Sequence, residues 1–151
     1  LDVLDGNIPE GKDIIVCGAG LVGCEVAMFL AEKGKNVTMI DMLEEAAPDL
    51  TIYTKWVLNS KLAELGIKSK LGHTIVKMTG KNVECVKDGE KVEFTGDAVV
   101  CALGLKSRRE LSEELEEHFG NSLDIITVGD AVSPRKILQA VHEGFHAARR
   151  I

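Results

Sequence analysis

The feature that most constrains this chain is a glycine-rich turn that follows a short apolar segment. Residues 14–17 read Ile-Ile-Val-Cys and run directly into Gly18-x-Gly20-x-x-Gly23, after which apolar residues recur at helical spacing. A buried strand, a tight turn and a helix in this order place the unpaired N–H groups of the helix at the end of the strand. This arrangement is typical of sites that bind the diphosphate of a dinucleotide.

Each glycine of the turn has its own expected role. Gly18 allows the sharp reversal of the chain, Gly20 removes the Cβ that would keep the backbone away from phosphates, and Gly23 lets the helix lie close to the strand. The sequence therefore predicts cofactor contacts from one continuous segment. Its residues are Gly18, Ala19, Gly20, Leu21, Val22 and Gly23.

The next elements extend this interpretation to a specific nucleotide. The helix is predicted from an apolar stripe that includes Val22, Val26 and Leu30, and the following strand, residues 36–41, ends at Asp41. An acid about 20 residues beyond the glycines accepts hydrogen bonds from ribose hydroxyls. It favours NAD(H), because a 2′-phosphate would meet a like charge, and no Arg follows in the next six residues.

A second helix and a third strand follow the acid. The helix is predicted to begin at an N-cap residue, Asp49 or Thr51, and to run to about Leu65, with Tyr53 and Trp56 as packing residues. A parallel strand over residues 67–71 comes next.

The hydrophobic period then changes from helical to alternating. Three short strands with glycine-containing turns between them predict an antiparallel meander, at residues 74–79, 82–86 and 91–94. Residues 97–103 are again apolar, so they should rejoin the parallel sheet and end at Gly104, where the backbone can approach a cofactor. The predicted fold is α/β, a Rossmann-like parallel sheet with a meander inserted.

The last third of the chain has a different pattern. A charged helix is predicted over residues 108–119, a short strand over 124–128, and a final helix that starts at Ser133-Pro134. The final helix is expected to have one apolar face, formed by Ile137, Ala140, Val141, Gly144, Phe145 and Ala148.

Composition excludes several classes of partner. A net charge of −6 gives no electrostatic reason to expect nucleic acid, and no apolar run approaches the roughly 18 residues of a membrane span. The four cysteines form no Cys-x-x-Cys pair, and Cys17 and Cys101 are expected in buried strands, so we predict reduced thiols in a cytoplasmic protein. Because the sequence has no initiator Met and starts in mid-pattern, we expect an excised fragment.

Three motifs in this order resemble the NAD(H)-binding region of pyridine nucleotide-disulfide oxidoreductase-like flavoproteins. Gly18-x-Gly20-x-x-Gly23-x-Glu25 is similar to their NAD loop, and Ala102-Leu-Gly104-Leu-Lys to their second glycine motif. Thr127-Val-Gly129-Asp130-Ala resembles their flavin-contacting motif. Both ends of the chain are most similar to the branch joined to an old-yellow-enzyme barrel, the 2,4-dienoyl-CoA reductase and 2-enoate reductase family.

The resemblance implies a domain division and a reaction. Residues 1–11 would be a linker, 12–104 the NAD(H)-binding domain, and 105–151 part of an FAD-binding domain. NADH would reduce FAD, and electrons would pass through an iron–sulfur cluster to FMN on an absent barrel, where an activated C=C bond is reduced. The fragment alone would not be competent. Its partners would be NADH and the flavin and barrel domains of the parent chain.

The resemblance also assigns residues. Glu25 would lie near the nicotinamide, Gly104 would approach the cofactor closely, and Gly129 and Asp130 would contact FAD, with Asp130 bonded to the ribitol. We assign no catalytic residue and no metal ligand, because in hydride transfer the cofactors supply the chemistry.

Two other functions remain open at this point. One is a module that binds and senses NAD(H) without turnover, although such a module has no reason to carry Gly129-Asp130. The other is a zinc hydrolase built on His142-Glu143-x-x-His146. At helical spacing His146 lies opposite the predicted apolar stripe, which disfavours a sheltered metal site. His73 and His118 are expected to be solvated.

Overall fold

The chain divides into two compact units, one up to Gly104 and one from Leu105 onward. The computed structural model describes residues 2–120 and 122–150. In chain order the first unit contains β1 (Asp13–Cys17), α1 (Leu21–Glu32), β2 (Asn36–Ile40), α2 (Ile52–Glu64), β3 (Lys68–Lys70), β4 (Thr74–Met78), β5 (Asn82–Lys87), β6 (Glu90–Thr95) and β7 (Ala98–Cys101).

Four of these strands form the predicted parallel sheet, in the order β3-β2-β1-β7. In the register Ile14 lies opposite Val37 on one side and Ala98 on the other, and every pairing in the sheet is parallel. The expected return of the apolar run after the meander is therefore confirmed. Because β1 is an inner strand, the glycine turn that follows it lies in the middle of the carboxyl edge of the sheet.

The remaining strands form the predicted antiparallel meander, in the order β4-β5-β6. Alternate residues of β1 pack on opposite faces of the parallel sheet, as the pleat requires. Ile15 and Cys17 belong to the same apolar cluster as Val83 and Cys85 of the meander. Ile14 and Val16 belong instead to a larger cluster with residues of α1 and α2. The sheet is thus covered by helices on one face and by the meander on the other.

Local sequence signals set both ends of the helices. After α1 the N–H of Gly34 donates to Ala31 O (2.9 Å) and that of Lys35 to Leu30 O (3.1 Å), which is the Schellman pattern. Gly34 supplies the positive φ of +80° that this pattern needs. At the start of α2 the N-cap is Thr51 rather than Asp49, since the Thr51 hydroxyl accepts from the Thr54 N–H.

Several residues of the first unit are more exposed than predicted. Val22 is 47% exposed, because it lies in the first turn of α1 while burial begins at Gly23. Tyr53 and Trp56 are 83% and 72% exposed, because they lie on the side of α2 opposite the buried Leu58. Cys101, predicted to be buried, is exposed at the last position of the edge strand β7.

The second unit consists of α3 (Glu110–Phe119), a 3₁₀ turn (Gly129–Ala131) and α4 (Ile137–Ala148). The predicted strand over 124–128 is wrong, since no described residue pairs with this segment and a strand requires a neighbour. The predicted helix start at Ser133-Pro134 is also wrong. The N–H of Ser133 closes the turn by donating to Gly129 O (3.2 Å), and the helical bonds begin only after Lys136.

The predicted apolar face of α4 does not pack within this unit. Ile137, Val141 and Phe145 are 83%, 59% and 58% exposed, whereas Ala140 lies against Gly129. Within residues 105–120 and 122–150 the only buried residue is Gly129. The second unit therefore has no apolar core of its own in the described part of the chain.

The helices can also be compared with the length and apolar character of a membrane span. None of the helices within residues 2–120 and 122–150 combines the length and the apolar character needed to cross a bilayer.

Because apolar residues pack on both faces of the sheet, we can predict which isoleucine side chains contribute to the free energy of unfolding. Ile40 is fully buried between sheet and meander, whereas Ile52 is 78% exposed. We expect Ile40→Ala to lower the free energy of unfolding by about 2–5 kcal/mol, because it leaves a cavity. Ile52→Ala should change it by less than about 0.5 kcal/mol. Urea denaturation followed by circular dichroism measures both, and equal effects would contradict the packing described.

Candidate dinucleotide-binding site

Two glycines of the turn are required by the packing of the chain itself. Gly18 has a φ of +113°, and a Cβ there would collide with the carbonyl oxygen of Ala102 after β7. A Cβ on Gly23 would collide with the carbonyl oxygen of Gly18. The Gly18 N–H also donates to Ile40 O (2.8 Å), so the turn is fixed by both strands that flank β1.

Gly20 is different, because nothing in the chain requires a glycine there. It is the N-cap of α1, with φ −64° and ψ 176°, a conformation that any residue adopts. A Cβ at this position would meet no atom within 4 Å. The bare backbone at Gly20 therefore borders open space directly above the helix N-terminus, which is where a diphosphate would need to approach.

The helix N-terminus itself is free to bind an anion. Gly20 offers no side-chain cap, and the first turn of α1 contains no acidic residue. The first helical bond runs from the Cys24 N–H to Gly20 O (3.0 Å). The N–H groups of Leu21, Val22 and Gly23 consequently have no partner inside the helix, and they lie at the positive end of its dipole.

Asp41 lies at the same edge and is directed at the turn. Its Oδ2 accepts a hydrogen bond from the Ala19 N–H (2.5 Å) and its Oδ1 accepts from the Leu43 N–H (2.9 Å). A carboxylate has about four acceptor positions, so about two remain for a ligand. Because Asp41 is partly exposed, those positions can be reached.

Sequence reasoning missed two residues, Ala47 and His73, whose backbone N–H groups bond to the turn and to Asp41. The Ala47 N–H donates to Ala19 O (2.7 Å), so the loop after β2 folds back onto the turn, with Ala47 at a φ of +43°. His73, which we expected to be solvated, is buried, with its ring 5.5 Å from that of Phe94. The backbone N–H of His73 donates to Asp41 O (2.8 Å). No local pattern marks either contact, since both join segments distant in sequence.

The two thiols beside the turn, those of Cys24 and Cys17, are unreactive. Cys24 is fully buried, and burial raises the pKa of its thiol to about 11, with the nearby charges of Asp41 and Glu25 acting in the same direction. Burial likewise raises the pKa of Cys17 to about 12. Both thiols stay protonated at neutral pH, so neither is a nucleophile at this site.

The other predicted contacts of the first unit lie near the turn in sequence or in space. Glu25 is an exposed residue of α1, just after its first turn. Gly104 has a φ of +92° and no atom within 4 Å of its Cβ position. The Ala102 N–H donates to Cys17 O (2.7 Å), which keeps the segment leading to Gly104 beside β1.

Gly129 and Asp130 belong to the second unit and form part of its 3₁₀ turn. Gly129 is buried, with a φ of +66°, and its N–H donates to Glu143 Oε2 (2.7 Å). Asp130 is exposed, and its Oδ1 accepts from the Arg135 N–H (3.3 Å). Their polar groups are thus engaged with α4 and the segment that precedes it.

The same contacts weaken the zinc hypothesis. Glu143, which would be the base of a zinc hydrolase, is instead bonded to the Gly129 N–H and paired with Arg135. His142 and His146 are exposed. Within residues 2–120 and 122–150 no cluster of three or more His, Cys, Asp or Glu side chains is arranged to hold a metal ion.

A cleft of about 440 Å³ lies elsewhere in the first unit, at the amino ends of β1 and β2. Its polar side chains already have structural partners: the Asn36 amide donates to Asp13 (2.8 Å) and the Lys35 ammonium to Gly11 O (2.6 Å). Ligands of parallel sheets bind at the carboxyl edge. We therefore assign the candidate site to the glycine turn.

Comparison with known families and sequences gives a consistent result. Residues 2–132 match the model of the family described as pyridine nucleotide-disulphide oxidoreductase. An NADH oxidase of Thermoanaerobacter brockii is 35% identical, over 99% of this chain and 23% of the relative. A cinnamate reductase of Clostridium sporogenes is 29% identical, over 99% of this chain and 23% of the relative. The chain therefore spans about a quarter of the length of these curated relatives.

Solved structures show the same fold. A 2-naphthoyl-CoA reductase complex superposes with a TM-score of 0.79 at 26% identity, over 95% of this chain and 22% of that one. The histamine dehydrogenase of Rhizobium sp. 4-9 superposes with a TM-score of 0.86 at 21% identity, over 99% and 25%.

The different environments of the glycines predict different costs of adding a methyl group. Gly23→Ala should lower the free energy of unfolding by about 1–3 kcal/mol, because its Cβ has no room against Gly18 O. Gly20→Ala should cost no more than about 1 kcal/mol, the scale of an N-cap change. Thermal or urea unfolding of the two variants measures this. A Gly20 variant as unstable as the Gly23 variant would contradict the open space at Gly20.

Proposed function

The chain belongs to the pyridine nucleotide-disulphide oxidoreductase family, and we propose that it is the NADH-binding part of a longer flavin-dependent oxidoreductase. One observation carries the proposal: Gly20, a glycine that the chain's own packing does not need, borders open space above an uncapped helix N-terminus beside the Asp41 carboxylate. When bound, NADH supplies a hydride and FAD accepts it. The chain's own residues bind and orient these groups.

In this proposal the diphosphate lies over the first turn of α1. The N–H groups of Leu21, Val22 and Gly23 donate to its oxygens, and the bare backbone at Gly20 permits the approach. Ala19 shapes the turn, because its N–H and C=O are held by Asp41 and Ala47. The turn is therefore organised before any ligand arrives, which reduces the entropy cost of binding.

Asp41 recognises the adenosine ribose through its remaining acceptor positions. The adjacent loop adds two further carboxylates, Glu44 and Glu45, and no basic residue. Lys55 of α2 pairs with Glu45 (2.9 Å), so the negative charge that a ribose 2′-phosphate would meet is chiefly that of Asp41 and Glu44. We therefore assign the site to NADH rather than NADPH.

At the other end of the dinucleotide, we propose that Glu25 lies near the nicotinamide and that Gly104 allows close approach of the backbone. The proposal is supported by the exposure of Glu25 just after the first turn of α1 and by the open space at Gly104. Hydride transfer needs neither a nucleophile nor a metal. The thiols of Cys17 and Cys24, which stay protonated at neutral pH, are consistent with this.

We propose that residues 12–104 are the NAD(H)-binding domain and 105–151 part of an FAD-binding domain, with 1–11 as the incoming linker. The division after Gly104 supports this boundary. Exposed apolar residues on both helices of the second unit, among them Leu111 and Phe145, fit a segment completed by more of the same domain. In it, Gly129 and Asp130 would contact FAD, with Asp130 bonded to the ribitol.

The electron acceptor of the whole protein is the most specific part of the proposal. We infer reduction of an activated C=C bond, of the enoate or dienoyl-CoA type, on a barrel domain carrying FMN and an iron–sulfur cluster. The similarity to proteins named cinnamate reductase and 2-naphthoyl-CoA reductase supports this choice. We also propose a cytoplasmic location, which the four free cysteines support.

Isothermal titration calorimetry of this chain tests the cofactor choice. We expect NADH to bind at least about tenfold more tightly than NADPH, a difference of about 1.4 kcal/mol. Asp41→Asn should reduce that ratio, because it removes the charge that repels a 2′-phosphate. Asp88→Asn, the same change in the turn between β5 and β6, is the matched control and should leave the ratio unchanged. Equal affinities in the unaltered chain would overturn the role of Asp41.

A bulky residue at the open glycine tests the diphosphate position. Gly20→Val should weaken NADH binding by at least about tenfold, because the side chain fills the space that the phosphates need. Gly80→Val is the control, since Gly80 also has no atom within 4 Å of its Cβ position but lies in the meander. Circular dichroism confirms folding. Unchanged affinity in a folded Gly20→Val variant would place the ligand elsewhere.

A further inference from the structure

The acidic residue of His142-Glu143-x-x-His146 has a function that neither the zinc hypothesis nor the proposed cofactor contacts explain. Glu143 lies on the side of α4 that packs against the 3₁₀ turn, whereas both histidines of the motif are exposed. The Glu143 side chain is 30% exposed, and a partly buried carboxylate is stabilised by partners that replace the water it has lost. Its partners are the backbone of Gly129 and the side chain of Arg135.

The contact with Gly129 fixes the beginning of the turn. Glu143 Oε2 accepts from the Gly129 N–H at 2.7 Å. One helical turn earlier, the Ala140 Cβ lies 3.4 Å from the Cβ position of Gly129, so Ala140 and Glu143 hold this residue from the same face of α4. Glycine is favoured at this position because φ is +66°, a conformation that residues with a Cβ rarely adopt.

Arg135 joins Glu143 to the other end of the turn. Its guanidinium pairs with Glu143 Oε1 and donates from Nε to Ser133 O (3.2 Å). Its backbone N–H donates to Asp130 Oδ1 (3.3 Å). Glu143, Gly129, Asp130 and Arg135 thus form a closed ring of contacts around the turn.

We propose that Glu143, acting with Arg135, is the positioning residue that sets the orientation of Gly129 and of the Asp130 carboxylate for a polyhydroxylated ligand. Identification of that ligand as the ribitol of FAD rests on the proposed function. Glu143 acts on the ligand only through Gly129 and Asp130. The ring of contacts explains why an inward glutamate occurs on a helix that has no buried residue.

The charge of Glu143 gives this role a measurable signature. The hydrogen bond from the Gly129 N–H, followed by Arg135, lowers the pKa of Glu143 below its ordinary value. The carboxylate therefore holds the turn at neutral pH and releases it only as the pH falls through that lowered pKa. Asp130 lies in the same turn, and the titratable residues that follow and precede Glu143 on α4 are His146 and His142, three and one positions away in sequence.

Nuclear magnetic resonance of the 151-residue chain tests the positioning without any flavin. We expect the Gly129 amide resonance to titrate with a midpoint below the ordinary pKa of a glutamate side chain. Glu143→Ala should abolish the titration and speed exchange of the Gly129 amide roughly 10- to 100-fold, as expected when a bond to a charged acceptor is lost. Glu143→Gln should abolish the titration yet keep much of the protection, since its amide oxygen still accepts the bond.

His146→Ala is the matched control on the same helix and should change neither quantity. An unaltered titration in Glu143→Ala would overturn the proposal, as would a His146→Ala effect equal to that of Glu143→Ala. If Glu143→Ala unfolds α4, the Glu143→Gln variant is the one to measure. It keeps a hydrogen-bond acceptor but has no carboxylate, so loss of the Gly129 amide titration in this folded variant assigns the titration to Glu143.

A second measurement separates this inference from the proposed function. In the longer flavin-containing protein, bound FAD per chain is measured by absorbance for Asp130→Ala and Glu143→Ala, and we expect both to fall, with Glu143→Gln restoring part of the loss. Normal FAD content in both alanine variants would refute the flavin contact while the amide titration still assigned Glu143 to the turn. A loss with Asp130→Ala alone would instead refute the positioning of Asp130 by Glu143.

Discussion

The close approach of three backbone segments at Gly18 is the constraint on which the first unit depends. The end of β1, the start of α1 and the segment after β7 meet where neither Gly18 nor Gly23 has room for a Cβ. This approach lets α1 begin directly above the sheet edge, and it presents unpaired N–H groups at a fixed position. A larger residue at either glycine would separate the helix from the sheet and displace the site.

The two units differ in what holds them together. The first has apolar clusters on both faces of its sheet, with Ile14, Val16 and Leu30 almost fully buried on the helical side. The second is held in its described part by polar contacts around Gly129, while large apolar side chains such as Leu111, Ile137 and Phe145 are exposed. Hydrophobic burial thus positions the nucleotide turn, and hydrogen bonds with a charge pair position the second turn.

Most of the first unit could be predicted, because its signals are local. The local signals are the continuous apolar run of β1, the Schellman glycine at position 34 and the N-cap at Thr51, and each depends on residues a few positions apart. The prediction was wrong where burial depends on a distant neighbour. Residues 124–128 read as a strand but have no partner in the described chain, and Ile137, Val141 and Phe145 on the apolar face of α4 are exposed there. The buried position of His73 likewise required the meander to be in place.

The sequence alone determined the order of strand, glycine turn and helix, the acid at the end of β2 and the change from parallel sheet to meander, because backbone conformation and hydrophobic period are local properties. Only the tertiary structure decided that Gly18 and Gly23 are needed for packing and that Gly20 borders open space. It also decided that Asp41 bonds to Ala19 and that Glu143 bonds to Gly129 rather than to a metal. These outcomes depend on distances between segments far apart in the chain, and such distances exist only once the sheet and helices have packed.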